Sequence, residues 1–153
     1  MMGRGRAVCQ LTFGHPSASA AVRALDPQAV AGARRCLWNP ALVRRLLAYA
    51  AGRPVDFRDV KLDPGPLTAF QRRVLRACHG IPYGETLSYG QLAARAGFPG
   101  AARAVGNCMA GNRIPILIPC HRVVRAGGSV GAYSAPGGTR TKRRLLALEA
   151  GSA

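Results

Sequence analysis

Apolar positions repeat at helical spacing in the first half of the chain. Leu42 and Tyr49 fall on one side of a 3.6-residue period, and arginines occupy other positions around it. Asn39 is a favourable N-cap, and Pro40 suits the first position of a helix. The pattern predicts a helix over residues 40–51.

Two capping boxes indicate two further helices. Thr68 and Gln71, and then Ser88 and Gln91, have the spacing at which two side chains close the first turn of a helix. A glycine ends each of these helical segments. Another helical segment, residues 100–110, follows almost at once, so the pattern predicts a helix-turn-helix.

The segment over residues 100–110 consists largely of small residues around one long cation. Ala102, Ala104 and Gly106 permit close approach to a backbone or groove, and Arg103 can reach into what it meets. These features favour contact with DNA. The alternative is packing in the core, where pairs of short helices are common.

An apolar, β-branched run precedes the most reactive residues. Residues 114–118 predict a buried strand, and Cys120 and His121 directly follow Pro119. The thiolate is the nucleophilic form of cysteine, and a neighbouring imidazole favours it. An isolated pair of this kind is more often a buried cysteine beside a surface histidine, so the pair alone does not establish a catalytic site.

The N-terminal residues carry the weakest periodicity. Residues 8–13 alternate as one strand would, and residues 17–33 form either a helix or a loose segment. Residues 63–66, rich in proline and glycine, are the candidate boundary between an N-terminal domain, residues 1–65, and a C-terminal domain, residues 66–153. The predicted fold is mixed α/β, with a short N-terminal part. Its mainly helical C-terminal domain contains a winged-helix-like helix-turn-helix and a buried strand leading to the cysteine.

Composition indicates a polyanionic partner. Among 153 residues, 22 are basic and 6 acidic, which gives a formal net charge of +16 and a pI near 11.4. Nucleic acid is the first such partner to consider. An arginine-rich composition is also typical of a GC-rich genome, so charge alone does not decide between these two explanations.

Membrane and disulfide classes are disfavoured. The sequence has no run of 18 apolar residues, the length that a membrane-spanning helix needs. Its five cysteines, odd in number and widely spaced, do not form a disulfide framework, so we expect a reducing, cytoplasmic setting. Cys9 and His15 are two potential metal ligands without a local second pair, so a structural zinc site is the weaker hypothesis.

The string around the reactive cysteine resembles a known signature. Residues 119–123, Pro-Cys-His-Arg-Val, are similar to the active site of the O6-alkylguanine-DNA alkyltransferases, also called methylated-DNA–protein-cysteine methyltransferases. Ordered motifs at residues 88–93, 102–106 and 131–134 extend the resemblance over about residues 41–149. Several motifs at family-like spacing make a chance similarity very improbable.

The resemblance implies direct DNA repair without a cofactor or metal. The alkyl group of O6-alkylguanine moves to Cys120 in a single turnover, and O4-alkylthymine is a candidate lesser substrate. His121 is implied as the base, acting through a water, and Glu149 as the residue that orients it. Tyr89 is implied to donate a hydrogen bond as guanine leaves.

Glu149 also stands out without the resemblance. It lies in the last turn of a helix predicted over about residues 140–150, where a carboxylate opposes the helix dipole. It is one of only two acidic residues after residue 63. Such a position predicts a cationic or hydrogen-bonding partner, and a solvated glutamate near the chain end is the alternative.

Double-stranded DNA is the implied partner of a monomer. The helix-turn-helix enters the minor groove through Ala102, Ala104 and Gly106, and Arg103 is inserted where the target nucleotide is flipped out. Arg122 is assigned to DNA contact and to the positive field around the thiolate. Sequence specificity is expected to be low.

Four residues are implied around the base pocket. Tyr133 and Ser134 form one wall, Asn112 braces the turn that carries the cysteine, and Pro115 belongs to the same pocket. The loop over residues 135–141 is slightly longer than usual, which bears on the alkyl groups that the pocket accepts.

Two further departures from the family pattern concern the fold. Fewer than 40 residues precede Asn39, where the family has an antiparallel sheet backed by a helix. Phe98 and Pro99 stand where a polar cap is expected for the DNA-binding helix, so its cap must come from elsewhere.

Two other functions remain open. A non-catalytic, alkyltransferase-like lesion binder replaces the reactive cysteine, typically with tryptophan, whereas Cys120 is present here. A helix-turn-helix regulator would read bases with several polar side chains, and residues 100–110 offer little besides Arg103 and Asn107.

Overall fold

The structure, a computed structural model, describes residues 1–36 and 38–151. The predicted domain ranges also contain residues 37, 152 and 153, which lie outside the described residues. The helices and strands, with one short 3₁₀ turn, follow one another in this order: β1 Met2–Arg4, β2 Ala7–Gln10, α1 Ala18–Arg23, α2 Pro27–Ala31, α3 Pro40–Ala50, α4 Ala69–His79, β3 Leu87–Ser88, α5 Tyr89–Arg95, α6 Ala102–Ala110, the 3₁₀ turn Cys120–Arg122, β4 Val123–Val124 and α7 Gly138–Glu149.

The N-terminal part is a small hairpin followed by two short helices. β1 and β2 pair in antiparallel fashion, and Val8 also bonds through its backbone to residues 61 and 63. The strand predicted over residues 8–13 ends at Gln10, because the backbone N–H of Leu11 turns away to the carbonyl of Arg113. The segment over residues 17–33 contains α1 and α2.

The helix predicted over residues 40–51 is confirmed as α3, which ends one residue earlier, at Ala50. The Asn39 side chain accepts a hydrogen bond from the backbone N–H of Leu42 at 3.0 Å, which caps the helix. Leu42 and Tyr49 are buried on the inward side. α3 therefore directs a tyrosine from the N-terminal part into the interior of the molecule.

The helix-turn-helix is formed by α5 and α6, which pack against each other and against α4. Both predicted capping boxes are present, one at the start of α4 and one at the start of α5. α6 has no side-chain cap, as its flanking residues predicted. Phe98 instead packs against Phe70 at 4.8 Å between ring centroids, and the Arg73 guanidinium lies 4.8 Å from the Phe98 centroid.

The strand predicted over residues 114–118 is wrong. This segment is a turn, in which the backbone N–H of Ile118 bonds to the carbonyl of Ile114 at 2.9 Å and Ile116 has a positive φ of 73°. Ile114, Ile116, Leu117 and Ile118 are all buried. A short, fully buried apolar run has the same sequence pattern whether it is strand or not, so the pattern predicted the burial and missed the conformation.

The reactive string is connected to the helix-turn-helix by a short parallel pair. Leu87 of β3 lies opposite Val123 of β4, and Ser88 lies opposite Val124. The residues after the 3₁₀ turn are thereby fixed beside the start of α5.

One hydrophobic cluster includes buried residues from both predicted domains, Val8 and Tyr49 from the first and Leu92 and Val105 from the second. The boundary at residues 63–66 stays a prediction. No helix among the described residues is long and apolar enough to cross a membrane.

The Thr68 cap makes a separable contribution to stability. Replacing it by alanine removes the hydrogen bond that the Gln71 N–H donates to its hydroxyl and opens the capping box, so Thr68→Ala should lower the free energy of unfolding by about 1 kcal/mol. Urea unfolding measures this. Thr86→Ala is the matched control, because Thr86 is exposed and caps no helix, and equal losses in both variants would contradict the assignment.

Candidate active site

Cys120 opens the 3₁₀ turn and lines an open cavity. The residue is 4 % exposed, and its backbone N–H bonds to the carbonyl of Ile118 at 2.8 Å. The cavity has a volume of about 870 Å³. Its walls come from α5, α6 and the loop over residues 125–134. The thiol is therefore accessible from one side, while the protein interior encloses it on the other.

Asn112 braces the turn that carries the thiol. Its Nδ2 donates to the Ile118 carbonyl at 2.8 Å and to Cys120 Sγ at 3.1 Å, and its Oδ1 accepts from the backbone N–H of Ile114 at 3.0 Å. Burial raises the pKa of Cys120, while the Asn112 donor and the charge of Lys142 oppose that rise. Formation of the thiolate therefore calls for a base.

Glu149 is the most densely bonded side chain of the site. In the described part of the chain its carboxylate accepts five hydrogen bonds: from Tyr49 Oη at 2.7 Å, His121 Nε2 at 2.8 Å, Arg122 Nε at 2.8 Å and Nη2 at 2.9 Å, and the backbone N–H of Gly84 at 3.1 Å. The prediction that this glutamate has a cationic partner is confirmed. Burial alone would raise the pKa of Glu149, but the donors from His121, Arg122 and Tyr49 outweigh it and hold the pKa well below its ordinary range.

His121 lies in the same 3₁₀ turn as Cys120, is fully buried, and faces Glu149. Burial lowers the pKa of His121 despite the opposing effect of Glu149, so the imidazole is neutral at pH 7. Because a carboxylate only accepts hydrogen bonds, the Nε2 atom facing it carries the proton. The buried Nδ1 atom has no hydrogen-bond partner among the described residues, and its lone pair can accept a proton.

The assignment of Arg122 to DNA contact is wrong. Its side chain is 5 % exposed, and its guanidinium bonds to Glu149 and, through Nη1 at 2.6 Å, to the carbonyl of Ile81. It also lies 5.8 Å from the centroid of the Tyr83 ring. The guanidinium therefore neutralises the buried Glu149 carboxylate and does not extend from the surface towards DNA.

Two cations line the cavity. Arg103 projects from α6, and Arg125 follows β4 at the start of a tight turn, in which its N–H bonds to the Ser129 carbonyl at 2.9 Å. Both are exposed, and the described residues that line the cavity include no carboxylate. Arg125 was not among the predicted site residues. Only its place in the glycine-rich stretch after the cysteine string could have indicated a role for it.

The small residues of α6 lie beside Arg103 as predicted. Ala102 and Gly106 are half-buried and line the cavity, whereas Ala104 is exposed. A Cβ on Gly106 would lie 3.9 Å from a ring carbon of Tyr89, an ordinary contact, so the approach of α6 to that ring does not itself require a glycine.

The aromatic residues of the predicted site meet around the cavity. Tyr89, the first residue of α5, packs so closely on Gly131 that a Cβ there would lie 2.7 Å from the Tyr89 hydroxyl. The Tyr133 hydroxyl is buried close to Cys120, and Ser134 lines the same cavity. Pro115 does not. It lines a neighbouring cavity of about 670 Å³ together with Asn112 and Ser134.

Two further residues near the site had no role in the sequence analysis. Lys142 is fully buried, and its Nζ donates to the Val123 carbonyl at 2.5 Å. It provides the positive charge near the thiol that sequence reasoning assigned to Arg122. The sequence pattern placed Tyr49 only on the inward side of α3. The one indication of a further role was a tyrosine at a position where an aliphatic residue would be enough for packing.

The described residues contain no cluster of three or more histidine, cysteine, aspartate or glutamate side chains that could hold a metal ion. The His15 ring pairs with the Thr12 hydroxyl, and the Cys9 thiol lies 4.0 Å from a carboxylate oxygen of Asp63. All five cysteines are free thiols.

Comparison with known proteins identifies the family. The sequence profile described as "6-O-methylguanine DNA methyltransferase, DNA binding domain" matches residues 69–151, more than half of the chain. The chain belongs to this methyltransferase family. The methylated-DNA–protein-cysteine methyltransferase of Mycolicibacterium paratuberculosis is 48 % identical over 124 residues, which cover 81 % of this chain and 67 % of that protein. The human protein of the same name is 56 % identical over 82 residues, which cover 53 % of this chain and 39 % of that protein.

Solved structures of the family agree with the fold. The crystal structure of a variant of Mycobacterium tuberculosis OGT matches with a TM-score of 0.80 at 40 % identity, over 99 % of this chain and 85 % of that one. M. tuberculosis OGT in complex with DNA matches with a TM-score of 0.66 at 50 % identity, over 73 % and 67 %. The predicted mixed α/β class is confirmed.

The charge of Glu149 should control acid stability. A carboxylate whose pKa is lower in the folded than in the unfolded state stabilises the fold above the unfolded pKa, near 4.3, and loses that contribution as the pH falls. Glu149→Gln should therefore lower the free energy of unfolding by about 3–5 kcal/mol at pH 7, since Arg122 is left buried without its partner.

Urea unfolding of both proteins between pH 7 and pH 3 tests this. The difference between the wild type and Glu149→Gln should shrink as the pH falls, whereas parallel curves would contradict the assignment. Glu85→Gln is the control, because Glu85 is exposed, and it should stay within about 0.5 kcal/mol of the wild type at pH 7.

Proposed function

We propose that this protein repairs O6-alkylguanine in DNA by transferring the alkyl group to its own Cys120, with O4-alkylthymine as a lesser substrate. The observation that carries the proposal is the arrangement behind the cavity, where the Cys120 thiol borders the open space and a buried His121–Glu149 pair stands beside it. The names of the relatives, methylated-DNA–protein-cysteine methyltransferase, describe this chemistry and support the proposal.

The histidine provides the base that the thiol needs. His121 Nδ1 takes the thiol proton through an intervening water, and the resulting imidazolium is stabilised by Glu149. The Cys120 sulfur then attacks the alkyl carbon, so that the S–C bond forms as the C–O6 bond breaks. Tyr89, at the cavity wall, donates a hydrogen bond to the departing base, which ends as neutral guanine once it receives a proton.

The product explains the stoichiometry. A thioether is stable, and the described residues that line the cavity include no second cysteine. Each molecule therefore acts once, and the reaction uses no cofactor.

The DNA is bound through its shape and charge. The alkylated oxygen cannot meet the thiolate while the base is stacked, so the nucleotide is flipped into the cavity, whose volume lies in the range of ordinary ligand pockets. α6 enters the minor groove, where its small residues permit close approach, and Arg103 fills the space that the base leaves. Arg125, which is exposed and also lines the cavity, takes the DNA-contact role that the sequence assigned to Arg122.

The free thiols and the composition of the site bear on where the protein acts and whether it acts as a monomer. All five cysteines are free thiols, a state that suits the reducing cytoplasm. The thiol, the histidine and the glutamate that the proposed reaction uses all belong to one chain, so we expect a monomer to suffice. A cytoplasmic monomer is the form that we expect to act.

Alkyl transfer is directly measurable. A folded sample mixed with a duplex that carries one labelled O6-methylguanine should acquire one equivalent of label on Cys120, located by mass spectrometry of peptides. Cys120→Ala should acquire none, and Cys36→Ala, which removes an exposed thiol, should react like the wild type. Absence of transfer by folded protein, or transfer to Cys120→Ala, would refute the proposal.

Arg103 should matter for duplex DNA and little for a free base. Because flipping costs a few kcal/mol in duplex DNA, Arg103→Ala should slow transfer from duplex by about tenfold or more. With the free base O6-benzylguanine its rate should stay within about twofold, as no base is flipped. Arg53→Ala removes the same charge from an exposed residue that does not line the cavity, and equal losses in the two variants would contradict the insertion role.

A further inference from the structure

We infer that Tyr49 of α3 is a positioning residue for alkyl transfer, whose hydroxyl holds the Glu149 carboxylate in place against His121. This inference rests on the proposed function, because it concerns the proton transfer at Cys120. It places a side chain from the N-terminal part, outside the profile match over residues 69–151, among the groups that set the chemistry.

The contact geometry is a closed triangle. Tyr49 Oη donates to Glu149 Oε1 at 2.7 Å, and the same oxygen accepts from His121 Nε2 at 2.8 Å. The third side, Tyr49 Oη to His121 Nε2, measures 3.3 Å. Arg122 Nη2 donates to the same oxygen at 2.9 Å, so three donors share it, and the phenol limits how much of the charge on that oxygen reaches the imidazole.

Packing alone does not account for a hydroxyl at this position. Tyr49 is 1 % exposed, and its ring makes edge contacts with Phe57 at 5.9 Å and Tyr83 at 6.1 Å. A phenylalanine would preserve both ring contacts. A buried hydroxyl is unfavourable unless it is hydrogen-bonded, so its presence ties α3 to Glu149 in a way that a hydrocarbon ring would not.

Tyr83 provides an internal comparison. It belongs to the same aromatic cluster, but its hydroxyl faces the backbone carbonyls of Gly52 at 3.4 Å and Leu148 at 3.3 Å. These contacts support the fold and do not touch the Glu149 carboxylate. The two tyrosines therefore separate a positioning role from a structural one.

The charge environment sets the direction of the effect. The groups that face His121 are Glu149 and Lys142 from α7, Arg122 from its own turn and Tyr49 from α3. Burial, with Glu149 nearby, raises the pKa of Tyr49, so the phenol stays a neutral donor. Loss of this donor makes Glu149 a stronger acceptor for the histidine, which raises the pKa of His121 and moves its protonation to higher pH. It also leaves the carboxylate less firmly held against the imidazole, which slows transfer where the histidine is neutral.

The test is the pH dependence of single-turnover transfer between pH 5 and pH 9. Tyr49→Phe should slow transfer at pH 7 by roughly three- to tenfold. It should also move the acid limb of the pH–rate profile to higher pH, by about half a unit or more. Tyr83→Phe, which loses a half-buried phenol from the same aromatic cluster, should leave the acid limb unchanged. Equilibrium unfolding in urea establishes that each variant is folded under the assay conditions.

A second substitution reverses the expected sign. Incorporation of 3-fluorotyrosine at position 49 keeps the ring and makes the hydroxyl a stronger donor, so the acid limb should move to lower pH. This experiment remains decisive if Tyr49→Phe does not fold.

The outcomes separate this inference from the proposed function. Failure of the wild type to transfer the methyl group would refute the function itself. A wild type that transfers normally, with an acid limb that neither Tyr49 substitution moves, would refute the positioning role alone. Equal shifts in Tyr49→Phe and Tyr83→Phe would also refute it, because they would assign the effect to the aromatic cluster as a whole.

Discussion

A single buried carboxylate organises this molecule. An isolated carboxylate at the place of Glu149 would be strongly unfavourable, because the protein interior replaces its hydration poorly. Its donors come from α3, from the loop before β3 and from the 3₁₀ turn, while the carboxylate itself stands at the end of α7. Satisfying one charge therefore fixes four separated parts of the chain relative to one another, and the histidine beside the reactive thiol is one of the groups so fixed.

The reactive cysteine depends on a second constraint, the turn that precedes it. Ile116 adopts a positive φ, which is unfavourable for a β-branched residue and persists only where the surroundings impose it. Buried neighbours on this turn and the three bonds of Asn112 provide that restraint. The packing that buries the apolar run therefore also sets the thiol beside the cavity, within reach of the Asn112 amide donor.

Sequence reasoning succeeded where the determining interactions are local. The N-caps at Asn39, Thr68 and Ser88 were correctly located, because each bond joins residues three positions apart. The same reasoning failed for residues 114–118, since a continuous apolar run has no period that separates a strand from a buried turn. It also placed Arg122 on the DNA, because an arginine in a basic chain gives no local sign of facing inward.

The sequence by itself determined the helices from α3 onward, the reactive string with its family resemblance, and the expectation that Glu149 has a partner. The tertiary structure decided which charges are buried and which remain on the surface. Arg122 and Lys142 lie inside, Arg103 and Arg125 line the cavity, and Tyr49 reaches Glu149. The physical reason is distance along the chain: Glu149 is separated from Arg122 by 27 positions and from Tyr49 by 100, far beyond the range of any local pattern.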